Sequence, residues 1–391
     1  MIKSFSWMYV GWVDMEDAGF DGTPADLRRY SNDQLATVFD HEVELAQAMD
    51  GLGYDALWSA EHHFQHDGYE CVPNLLMLFV HLASQTKRLR FGCGINLAPI
   101  WHPLRLAEDY AVADILTKGR VIFGVGRGYQ TREMETLGAP VIDDAANRDL
   151  FEESMELILK AWRQESFSHQ GKRYTIPPPV PYRGRTLREI TLVPRPIRQP
   201  VEVWQIITSG ADRALDFMAK HGIKGIIAVG GPRSPDDVMR RYQAAATRHG
   251  RELGVGEDLC FYMPCHIADS RRQAAREVHR FHEESLKRTT PLVEARLFKR
   301  LTDEQLRLLT HPSTARSAGL PTLEQLVEND PFWLYGPAEE TIGALRQIEE
   351  KYPSLEHVIL HPPEMTHKSI MLEQIRRFAG EVMPAFPHAM K

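Results

Sequence analysis

The sequence predicts an α/β fold, a (β/α)8 barrel with insertions. Three observations carry this. Strand patterns alternate with helical patterns, the alternation supplies eight strands, and the chemically unusual residues cluster where strands hand over to helices. Strands separated by helices of about 10–15 residues imply right-handed crossovers and a parallel sheet. Eight such units suit a closed barrel better than an open doubly wound sheet.

Taken in order, residues 2–10 read as the first strand and about 33–49 as a helix. Strand 54–60 and helix 74–86 follow, then strand 88–97, helix 104–117, strand 120–125 and helix 147–165. The second half gives strand 201–207, helix 211–221, strand 224–229, helix 235–249, strand 259–267 and helix 270–288. Helix 338–350, strand 356–360 and helix 368–382 close the chain. The 391 residues exceed the roughly 250 of a minimal barrel. The excess is assigned to insertions at about 167–200 and 289–336 within one domain spanning 1–391, the second insertion being the lid candidate.

Composition narrows the function. An apolar share of 43% with 25% charged residues is that of a globular protein rather than a disordered or collagen-like one. A net charge of −7 without a long basic run argues against nucleic acid or an anionic membrane as partner. Of the four cysteines, Cys71, Cys93, Cys260 and Cys265, no two form a CxxC, so reduced thiols in a cytoplasmic protein are expected. The first ten residues read as a buried strand rather than a signal peptide, and no stretch reaches the roughly 20 apolar residues of a membrane helix.

Barrel chemistry sits at the C-terminal ends of the strands. The second strand ends in Glu61-His62-His63-Phe64, with His66 beyond. Adjacent side chains of an extended segment point to opposite sides, so one metal is not expected to take both histidines. Packing, or an imidazole beside a cofactor, are the open readings. The third strand ends in Gly92-Cys93-Gly94-Ile95-Asn96, where glycines mark either a kink or close approach to something flat. The fourth runs into Gly124-Val125-Gly126-Arg127-Gly128, a guanidinium suited to a phosphate or carboxylate. The fifth ends in Thr208-Ser209-Gly210, either a plain helix cap or an anion site. Arg127 and Ser209-Gly210 together suggest a phosphate-bearing ligand.

Glu61-His62-His63-Phe64, His102-Pro103 with Arg105 to Asp109, and Lys118-Gly119-Arg120 through Gly128 resemble the luciferase-like family of flavin-dependent monooxygenases. Ser209-Gly210 with Phe217 to Gly222, Gly336 to Glu340 and Val382-Met383-Pro384 fit the same pattern. The resemblance covers about 40–230 and 336–384. It implies FMN at the C-terminal face and a homodimer. Arg127, Ser209 and Gly210 would hold the phosphate. Gly94 and Ile95, through a non-prolyl cis bond, would support the ring beside Asn96, and His62 would lie at its reactive edge. It further implies reduced FMN from a separate NAD(P)H-dependent reductase, a C4a-(hydro)peroxide formed with O2, and transfer of one oxygen atom to a hydrophobic organic substrate. Gly126 stands where the light-emitting subunit of luciferase has a cysteine, which leaves room over the ring and points, with Trp101 and Asn96, to another substrate. Three readings compete: a deazaflavin-dependent hydride-transfer enzyme, a metal-dependent hydrolase and a silent flavin-binding subunit.

Overall fold

Eight strands pair in parallel around a closed ring. They are β1 (Ser4–Met8), β2 (Ala56–Ser59), β3 (Arg90–Cys93), β4 (Val121–Gly126), β5 (Val203–Ile207), β6 (Lys224–Ala228), β7 (Leu259–Ile267) and β8 (His357–His361). Each pairs with the next, and β8 returns to β1, with Phe5 opposite Val358. The structure is a computed structural model that describes residues 1–208, 210–228, 234–297, 322–329 and 332–389. Among these, no helix is long and apolar enough to cross a membrane.

The helices are α1 (Asn32–Leu52), α2 (Leu75–Gln85), α3 (Pro103–Leu116), α4 (Asp144–Arg163), α5 (Asp212–His221), α6 (Pro235–Arg248), α7 (Arg271–Leu297), α8 (Ala338–Lys351) and α9 (Lys368–Arg377). Local chemistry sets several ends. Ser31 and Gln34 form a capping box that starts α1, and Gly53 in the left-handed region stops it. Asp143 accepts from the Ala146 amide, so α4 begins three residues before the expected 147. On α3, Arg105 lies 2.6 Å from Glu108 and 3.1 Å from Asp109.

Expectation and structure part company at the insertions. Segment 167–200 forms two small hairpins, His169–Gln170 with Thr175–Ile176 and Pro181–Tyr182 with Arg185–Thr186. Glu153 of α4 holds the first of them through the amides of Arg173 and Tyr174. Helix α7 runs past the predicted stop at 288 and through Pro291. Just before that proline, Glu284, Lys287 and Arg288 are tied into buried ion pairs that hold the preceding turn. Most of the lid candidate, with Phe298 and Leu301, lies outside the described residues. Phe332 packs edge-on against Phe261, and Trp333 packs against His282 and Tyr335, so both belong to the core.

Period-two alternation sends Ser6, Trp58, Ile122, Trp204, Cys260, His357 and Ile359 into the barrel, around a small inner void. Arg90, between Asp55 (2.5 Å) and Glu202 (3.0 Å), closes its N-terminal end. A side chain at Gly92 would put its Cβ 2.2 Å from the Trp58 indole. The flat object this glycine accommodates is therefore the protein's own tryptophan. Gly92→Ala is expected to cost about 1–3 kcal/mol, as overpacking does, read as a lowered urea midpoint; an unchanged midpoint would show that Trp58 yields freely.

Candidate active site

The ends of β2 to β5 frame a cleft of about 170 Å³, open to solvent on one side. Its wall includes His62, Gly94, Ile95, Arg127 and Gly210, five of the seven residues expected there. Ser209 lies outside the described residues. Asn96 is buried behind the wall, where its Nδ2 donates to the Gly124 carbonyl at 3.1 Å. It braces β3 against β4.

Backbone bonds fix the β2–β3 corner. The Gly94 amide donates to the Ser59 carbonyl at 2.6 Å, and the Glu61 amide donates to the Ile95 carbonyl at 3.1 Å. Glu61 accepts from the Leu97 amide at 2.6 Å and from the Trp101 indole at 2.8 Å. The first residue of the EHHF motif is thus a clamp, and Trp101 serves that clamp. The chain bends at Gly94 between Cys93 and Asn96, and Gly94–Ile95 is trans, contrary to expectation. The cis bonds among the described residues all precede proline: Ile176–Pro177, Val193–Pro194 and Gln199–Pro200. A second correction concerns Gly126. A Cβ there would lie 1.7 Å from Ile95 Cδ1, so the space expected over the ring is filled by Ile95.

Two guanidiniums share one end of the cleft. Arg127 donates to Asp144 Oδ1 at 2.9 Å and to Asn147 Oδ1 at 3.0 Å. Arg148, early in α4, lies 3.6 Å from Glu152. Burial, then the neighbouring Arg127 charge, holds the Arg148 pKa below its ordinary value. Such a pair favours an anion between the two cations. Gly210, at φ 56°, opens the turn into α5 beside them. Gln205 also lines the cleft, and among the described residues its buried Oε1 has no hydrogen-bond partner. An orphaned acceptor of this kind calls for a ligand donor.

At the other end His62 is 6% exposed, and its imidazole meets two carboxylates. Nδ1 lies 3.1 Å from Glu133 and Nε2 3.3 Å from Glu70. Burial alone would push its pKa down, but Glu70 and Glu133 outweigh burial and raise it. Arg288 of α7 pairs with Glu70 and, at 2.6 Å, with Glu364. The other histidines go elsewhere, His63 to Glu61 at 3.2 Å and His66 to solvent. Among the described residues no group of three potential metal ligands converges.

Arg148, Gln205, Glu133, Glu70 and Arg288 were not anticipated. Two left a signal. Arg148 is a cation near a helix N-terminus, where the dipole disfavours it. Gln205 is a polar residue inside the apolar run Val203-Trp204-Gln205-Ile206-Ile207. The carboxylates and Arg288 reach His62 only through the tertiary fold.

The luciferase-like monooxygenase family matches residues 14–354. The chain is 25% identical over 370 residues to the oxygenase component of the flavin-dependent trigonelline monooxygenase of Acinetobacter baylyi, covering 92% of this chain and 93% of that one. A shorter match, 33% identical over 156 residues, joins 40% of this chain to 43% of the uncharacterized protein y4vJ of Sinorhizobium fredii. The fold is similar to the FMN-bound oxygenating constituent of 3,6-diketocamphane monooxygenase from Pseudomonas putida, with TM-score 0.70 and 19% identity over 98% of this chain and 99% of that one. An F420-dependent secondary alcohol dehydrogenase also shares it, with TM-score 0.65 and 12% identity over 98% and 99%. A barrel whose strand-end cleft carries the EHHF histidine and the motif arginine, and whose sequence matches from 14 to 354, belongs to the luciferase-like monooxygenase family.

Proposed function

We propose that this protein is the oxygenase component of a two-component monooxygenase. It would take reduced FMN from a separate NAD(P)H-dependent flavin reductase and, with O2, oxygenate a hydrophobic organic substrate. The observation that carries this reading is the convergence of His62 and the Arg127–Arg148 pair on one cleft. Arg127 and Arg148 hold the phosphate, with Gly210 at the turn into α5 and Ser209, the residue before it in sequence, as a further donor. Gly94 and Ile95 support the ring, and Asn96 stiffens the wall behind them. Reduced flavin, when bound, supplies the activation of O2. His62 holds a proton at the cleft wall, its own side chain nearly fully buried. We assign a homodimer contact to the apolar side chains left exposed on neighbouring α2 and α3, namely Met77, Val112, Ile115 and Leu116.

The test supplies photoreduced FMN to the protein without NAD(P)H, then admits ¹⁸O2 with a panel of organic substrates. One labelled oxygen atom in the product is expected. Substrate reduction by reduced F420 without oxygen would overturn the reading in favour of hydride transfer. Tight FMN binding with no turnover across the panel would point instead to a silent flavin-binding subunit.

A further inference from the structure

The cleft wall described above belongs to β2–β5, whereas the β7–β8 side of the barrel mouth carries a different arrangement. Cys260 and Ile359 point into the barrel. Two residues further on, Tyr262 and His361 therefore point the same way, one layer nearer the C-terminal mouth. Their rings stack with centroids 4.0 Å apart and planes 22° apart. His361 Nδ1 lies 2.8 Å from the Pro362 carbonyl, to which it donates its proton, and this fixes the tautomer. Burial keeps the ring neutral, its pKa lowered to about 4. Nε2 is left as a bare acceptor. Among the described residues the Tyr262 hydroxyl has no hydrogen-bond partner, and it is not one of the fully buried unpartnered polar atoms, so it stays reachable from the mouth. Both side chains keep partial exposure inside the mouth.

We propose that Tyr262 and His361 are the substrate-contacting pair of this enzyme, and that its substrate is a neutral organic molecule bearing a hydroxyl group, phenols being the simplest members. This rests on the monooxygenase reading above. One hydroxyl donates once and accepts, matching one acceptor on His361 and one donor on Tyr262. An anionic substrate is disfavoured. Glu70 and Glu364 act on Tyr262, and Arg288, the cation beside them, is engaged by both carboxylates.

The test titrates 4-propylphenol and its methyl ether, 4-propylanisole, into the FMN-loaded full chain at pH 7 by calorimetry. The wild type is expected to bind the phenol about tenfold or more tightly than the ether, the scale of hydrogen bonds that the ether cannot reproduce. Tyr262→Phe and His361→Leu should each bring that ratio below about threefold while leaving ether affinity nearly unchanged. No discrimination by the wild type, or full discrimination by both variants, overturns the proposal. Tyr262→Phe removes a single oxygen atom and carries the test alone if His361→Leu does not fold. FMN affinity is measured on the same samples. No phenol preference in the wild type with intact FMN binding refutes this pair only, whereas a wild-type phenol preference without FMN binding refutes the flavin reading and leaves the pair standing.

Discussion

Arg127→Ala is expected to weaken FMN binding by about 1.5–3 kcal/mol, the scale of a hydrogen bond to a charged group, or roughly 10- to 150-fold in Kd. Arg148→Ala is expected to weaken it comparably. The two should differ in what they do to the ligand-free protein. Arg127 is bonded to Asp144 and Asn147, so its removal unties β4 from α4 and lowers the melting temperature. Among the described residues, the one ion pair of Arg148 is the 3.6 Å approach to Glu152, and it bears the repulsion of Arg127. Its removal should leave the melting temperature unchanged or raise it. Riboflavin, which lacks the phosphate, is the control. Fluorescence titrations should show the FMN-to-riboflavin affinity ratio collapsing in both variants while riboflavin binding stays constant. Equal losses for the two ligands would mean that the arginines shape the cleft without gripping a phosphate.

What the sequence reveals and conceals at this site follows from physics. Barrel order is legible because each strand and helix writes its own period, and Arg127 is legible because glycines flank it. The glycines themselves mislead. Gly92 is small for Trp58, Gly94 for the tip of Met8 and Gly126 for Ile95, contacts between strands that no single segment encodes. The expected cis bond is likewise absent, and the Gly94 amide and Ile95 carbonyl are bonded to Ser59 at the end of β2 and to Glu61 just beyond it. The partners of His62 were the least legible. Glu133 follows 71 residues later, in a four-residue helical turn whose burial shows only once β4 is in place. Arg288 arrives from α7, on the far side of the chain.

Those partners make His62→Ala more than a catalytic change. Glu133 is fully buried, and His62 Nδ1, its pKa raised by Glu70 and Glu133, lies 3.1 Å from it. Removing one member of a buried pair costs about 3–5 kcal/mol, because the other is left charged and unpaired. His62→Ala and Glu133→Gln should each destabilise the fold, and His62→Gln combined with Glu133→Gln should recover most of the loss. The combined variant keeps both arginines, so it should still bind FMN, yet its oxygen consumption should no longer be matched by product. Normal product yield would make His62 structural only. Stability against pH offers an independent check. The folded protein holds the His62 proton more tightly than the unfolded chain, where the pKa is about 6.5. This contribution is complete below that value and is lost as pH rises through the higher folded one. Urea unfolding of the wild type should therefore show stability declining above about pH 6.5, a decline absent from the combined variant. If the two slopes coincide, the proton is not on His62, and some other group neutralises Glu133.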